Sequence, residues 1–112
     1  MTSEITYDIH AMITLLPTAN GGRSKSIFSG YKPAFTFNTI KHYCGELTLT
    51  KKKELKPGEI GEVIVRLLPA VTLKKNLKLN DSFTIFEGNK AVGHGIILEE
   101  LSKKEKKVVE YS

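Results

Sequence analysis

His42 and Cys44 stand two residues apart and would share one face of a regular strand. A catalytic thiol needs a base, and that base needs an orienting group. The sequence offers neither a helix start nor an orienting carboxylate in support of this pair. A tetrahedral metal site takes four ligands, of which His42 and Cys44 supply two at most. The other histidines, His10 and His94, are scattered along the chain. His10 falls on the polar side of a strand pattern and is expected to be solvated, and His94 lies between two glycines and is expected to pack beside a bend. Asp8, Glu46, Glu54, Glu59, Glu62 and Glu87 belong to different segments, so no acid–base pair is visible from spacing. No Gly-x-x-x-x-Gly-Lys-Ser/Thr loop occurs, which excludes a nucleotide phosphate cradle and with it GTP hydrolysis. The expectation is a non-enzymatic chain with no catalytic residue, no metal and no cofactor.

Charge bounds the partners. Seventeen Lys and Arg stand against twelve Asp and Glu, a net charge of +5 with a pI near 9.3. Only Arg23 and Arg66 offer a planar fork for bidentate phosphate or guanine recognition. The lysines cluster at 51–53, at 74, 75 and 78, and at 103–107 around Glu105. Such clusters between apolar segments follow the pattern of solvated turns, and they leave RNA open as an anionic partner. No DNA partner is expected. No apolar run approaches the ~18–20 residues a bilayer requires, and Met1–Asp8 alternates instead of forming a basic and then an apolar region. Membrane and secretory readings are set aside, and the single cysteine fits a cytoplasmic setting.

The elements that position these residues are strands. Ile5, Tyr7, Ile9, Ala11, Ile13 and Leu15 fall on one face of a long first strand, opposite Thr6, Asp8, His10 and Thr14. Thr18–Gly22 turns the chain after Pro17, and Arg23–Tyr31 reads as loop. Phe35 and Phe37 mark a second strand, Leu47 and Leu49 a third, and Val63, Val65 and Leu67 a fourth ending near Pro69. Val71–Leu79 follows no clear pattern. Phe83 and Ile85 share a face of a fifth strand, and Glu87-Gly-Asn-Lys90 turns into a last strand over Ala91–Leu98. In that strand Gly93 and Gly95 call for close approach of another backbone or a barrel bend. Met12 and the valines read as core. A chain of 112 residues allows one domain, here over residues 1–101 with a charged tail over 102–112. Short strands at regular turn spacing argue an antiparallel barrel or sandwich.

In order, Gly21-Gly22-Arg23, Gly30-Tyr31-Lys32-Pro33 with Phe35 and Phe37, Gly45, Lys56-Pro57-Gly58-Glu59, Leu68-Pro69-Ala70, Phe83, Ile85, Glu87-Gly88 and Val92-Gly93-His94-Gly95 resemble the C-terminal, third domain of the bacterial elongation factor Tu family. The resemblance runs from about Glu4 to Glu100. It implies a closed six-stranded antiparallel β-barrel, all-β, without exposed sheet edges. Met1 stands just ahead of the first strand, so the chain reads as a separate diverged protein or as an excised domain, and its departures from the family favour the former.

The family contacts the T stem of tRNA from the strand after its Gly-Tyr-Arg-Pro-Gln-Phe motif and from an Arg-Glu-Gly-Gly-Arg turn. Lys32 would keep the motif's positive charge and Glu87 the turn's glutamate. Ala34 replaces the glutamine, Phe86 the first turn arginine and Lys90 the last. The resemblance also places Gly21, Gly22 and Thr84 near the face that meets the family's GTPase domain. Phe86 has two readings, as cover for the barrel wall or as the centre of a new protein contact. The candidate partner-binding residues are therefore Gly21, Gly22, Arg23, Tyr31, Lys32, Thr84, Phe86, Glu87 and Lys90. The expected function is a binding module that contacts a protein or RNA partner of the translation machinery. The alternatives are an immunity or decoy protein that mimics the translation factor, and a stand-alone tRNA- or RNA-binding barrel.

Overall fold

Alternation of apolar and polar residues, the period of a half-buried strand, governs nearly every element of the computed structural model. Its described residues are 2–37, 42–67 and 79–108, with side chains over 8–37, 42–67 and 79–99. The strands are β1 (Thr2–Leu15), β2 (Ile27–Phe28), β3 (Ala34–Thr36), β4 (Tyr43–Leu49), β5 (Glu54–Leu55), β6 (Ile60–Leu67), β7 (Ser82–Glu87) and β8 (Lys90–Val108). Six of them close an antiparallel barrel in the order β1-β6-β4-β3-β7-β8. This is the expected fold. Closure removes the unpaired edges that an open sheet of this size would present.

Ile9, Ala11, Ile13 and Leu15 of β1 point inward with Leu47 of β4, Val63, Val65 and Leu67 of β6, and Ile85 of β7, all fully buried. One side of the core is aromatic. The Phe83 ring lies 5.9 Å from Phe35 and 5.4 Å from Phe37, centroid to centroid. Gly45 and Gly95 make room for these rings, because a Cβ on Gly95 would stand 2.8 Å from ring carbons of Phe83. At Gly95 it is thus a side chain that approaches; at Gly93 it is the expected backbone, the Thr14 carbonyl at 2.8 Å.

Several readings are corrected. β2 lies inside what reads as loop and pairs with β5 as a separate two-stranded sheet, and the two bury Ile27 and Leu55 in the core. Two-residue strands are too short to show a period. Met12 stands on the outer face, half-buried, because it is out of phase with Ala11 and Ile13. His94 is exposed rather than packed beside a bend. β8 runs on past residue 101 to Val108, opposite Thr2. The strand end near Pro69 and the patternless segment from Val71 lie at residues 68–78, outside the described residues, as do 38–41 and 109–112.

Candidate interaction surface

A single 3-10 turn at Thr18–Asn20 follows Pro17 and ends at Gly21, whose φ of 85° is left-handed and suits glycine. Gly22 then passes so close to the preceding chain that a Cβ would stand 2.9 Å from the Pro17 carbonyl oxygen and nearer still to that of Leu16. This tight return delivers Arg23 to the β7–β8 hairpin. Its guanidinium pairs with the Glu87 carboxylate, donates from Nε to the Lys25 carbonyl at 3.1 Å, and lies 4.9 Å from the Tyr31 ring centroid. The Tyr31 hydroxyl donates to the same Glu87 carboxylate. Lys90 Nζ donates to the Gly22 carbonyl at 3.2 Å.

Six of the nine candidate residues therefore converge into one clasp: Gly21, Gly22, Arg23, Tyr31, Glu87 and Lys90. Their charges are spent largely on one another, holding the 18–31 loop against the hairpin. Lys32 stands apart, mostly exposed, 3.8 Å from Glu46. Pairing of β3 with β7 sets Ala34 opposite Phe86, so the two segments implied to contact tRNA are neighbours.

Burial first, and then the bond and charge of Glu87, hold the Tyr31 phenol well above its ordinary 10.0. The folded chain keeps this proton more tightly than the unfolded chain. Its contribution to stability is complete below about pH 10 and shrinks as pH rises above it. Tyr31→Phe is expected to lower stability at neutral pH by about 1 kcal/mol. It should also flatten the alkaline fall in thermal midpoint, read by circular dichroism across that range.

Thr84 and Phe86 belong to a different surface. Register aligns Thr14, His94, Thr84 and Thr36 in one row across β1, β8, β7 and β3. Met12, Ile96 and Ser82 form the next row, with Ile96 47% exposed. On the other side Phe86 lies between Ala34 and Ala91, and its ring meets His42 at 4.8 Å. Among the described residues of these rows there is no Asp, Glu, Lys or Arg. In a chain that is 26% charged, three neighbouring rows without Asp, Glu, Lys or Arg are a local departure, bounded by Glu99 opposite His10 at one end and by Glu87 and Lys90 at the other.

The wall formed by β4, β6 and the middle of β1 is the opposite case. Arg66 grips Asp8 through Nε and Nη2 at 2.8 and 3.0 Å. His10 meets Glu62 at 3.2 Å, and Lys51 reaches the same carboxylate at 2.9 Å. The bond from Lys51, followed by that from His10, holds Glu62 below the usual carboxylate range. Asp8 likewise raises Arg66. His10 is thus half-buried and paired rather than solvated. Asp8 and Glu62 have partners that spacing along the chain concealed, because Asp8 faces Arg66 across the β1–β6 ladder.

Cys44 is a free, exposed thiol, and His42 turns to Phe86. Among the described residues no three His, Cys, Asp or Glu gather as a metal site. No helix among them is long and apolar enough to cross a membrane.

Residues 3–100 match the model of the elongation factor Tu C-terminal domain. The closed barrel and the span of the match agree with the resemblance read from the motifs. The chain belongs to the elongation factor Tu C-terminal domain family.

Proposed function

We propose that this chain is a non-enzymatic binding module of the translation machinery that docks a protein partner on the uncharged rows through Thr84, Ile96 and Phe86 on the wall of β1, β8, β7 and β3. The observation that carries this reading is the absence of charge across rows containing Thr84, His94, Ile96 and Phe86. Interface cores are depleted of charged residues and enriched in aromatic ones, whereas a solvated barrel wall normally carries both signs of charge. The small side chains Ala34, Thr36, Ser82 and Thr84 keep the wall low, so a partner can approach the sheet closely. Family membership supports a translation-factor setting. No nucleotide-binding loop accompanies the barrel in this sequence. On this reading the clasp of Arg23, Tyr31 and Glu87 shapes the adjoining loop and does not itself seize a ligand.

A photoreactive amino acid at His94 is expected to cross-link a ribosome-associated protein or translation factor in cells. Thr84→Arg buries an unpaired charge under any partner and should weaken the recovered complex at least about 100-fold, with the thermal midpoint unchanged. Cross-links from His94 only to proteins unrelated to translation would overturn the reading. So would full affinity in Thr84→Arg.

A further inference from the structure

We propose that the ribbon formed by the N-terminal end of β1 and the C-terminal end of β8 is an arm that binds the phosphate backbone of RNA. β6 pairs with β1 only from Tyr7 onward, and β7 pairs with β8 only as far as Ile96. Beyond those limits the two long strands continue together, Thr2 opposite Val108 and Thr6 opposite Lys104. Five such pairs extend about 17 Å. The molecule is correspondingly long in one direction, 54 Å against 29 and 28 Å. β8 skips Leu98 and Leu101 in its register with β1 just where the arm leaves the barrel. Bulges of this kind bend a strand and increase its twist.

The arm carries three lysines, at 104, 106 and 107, and Lys103 stands at its base opposite Tyr7, against two glutamates, Glu4 and Glu105. Lys104 and Lys106 share one face of the ribbon with Thr6 and Glu4, while Lys103 and Lys107 share the other with Tyr7 and Ser3. Positive positions thus occur on both faces of one strand. Their spacing fits a nucleic acid. A strand advances ~3.3 Å per residue, and each strand of a duplex carries one phosphate per ~3.4 Å of axis. Residues 103–107 therefore run beside roughly four phosphates, with two lysine positions on either face of the ribbon. The family match ends at residue 100, so this cationic strand is a feature of this chain beyond the matched region. Binding to a phosphate backbone rests on the arm alone, and the choice of RNA over DNA rests on the translation reading above.

The test is fluorescence anisotropy of the full chain with a mixed-sequence RNA duplex between ~50 and ~200 mM potassium chloride. Two phosphate contacts, those of the lysines on one face, predict a fall in affinity of roughly 10-fold over that range. Replacing Lys103, Lys104, Lys106 and Lys107 together by Gln should leave a nearly flat salt response, and replacing the same four by Arg should restore the slope. Thr84→Arg should bind RNA as the parent does, which separates this proposal from the docking wall. Several results would overturn it: no RNA binding at the lowest salt, an unchanged slope in the four-Gln chain, or tighter binding to polyglutamate than to RNA. Tighter binding to a DNA duplex of equal length would overturn the choice of RNA. Self-association of the four-Gln chain with RNA affinity intact would assign the lysines to protecting a strand edge instead.

Discussion

Phe35→Ala is expected to lower the stability of the barrel by about 3–5 kcal/mol, read as a drop in the urea midpoint with the slope unchanged. Phe35 is fully buried on the shortest barrel strand, β3, which joins β4 to β7. Its ring stands edge-on to Phe83 and within 6.4 Å of Phe37, and the space at Gly45 is shaped around it. Truncation would leave a cavity whose walls come from three different strands, and none of them can move inward without giving up ladder hydrogen bonds. Phe35→Leu keeps most of the volume and should cost much less. A loss below about 1 kcal/mol for the alanine variant would show that the aromatic side of the core can collapse, contrary to the packing described.

Gly22→Ala is the second large effect, about 3 kcal/mol, although the substitution adds a single methyl group. The added Cβ meets backbone oxygens of Leu16 and Pro17, and backbone cannot swing aside as a side-chain tip can. The turn would have to open, and Arg23 would leave Glu87 as it did so. Gly21→Ala is the informative control. Open space surrounds Gly21, so only its left-handed φ is strained, at about 1 kcal/mol. A larger loss at Gly22 than at Gly21 identifies close approach as the reason for the second glycine. Equal losses would reject it. The first result bears on function, since the glycine pair would then serve to build a loop rather than to contact a partner.

The glycine pair illustrates how a site can be legible in sequence while its role is not. The motif Gly21-Gly22-Arg23 and the Glu87-Gly88 turn are visible in the chain, and the family resemblance marks both. That Arg23, Tyr31 and Glu87 bind each other is not visible, because 64 residues separate Arg23 from Glu87 and only the folded barrel sets them side by side. The same holds for Asp8 and Arg66, which are 58 residues apart. β2 and β5 were hidden for a different reason. A two-residue strand has no period, so its pairing is decided by burial of Ile27 and Leu55 and not by pattern.

What the sequence determined by itself is the inward or outward sense of each side chain along the long strands, the turns between them and the family. Those are local properties: successive residues of a strand face opposite ways whatever lies beside them, and Pro17, Gly21 and Gly58 bend the chain by their own conformational limits. The tertiary structure alone decided which strands lie next to one another and in what register. Register follows from closing six strands into one cylinder and from the residues that β8 skips against β1. It is register that gathers Thr14, His94, Thr84 and Thr36 into an uncharged row and sets Lys104 across from Thr6. No stretch of chain short enough to be read as a pattern contains either arrangement.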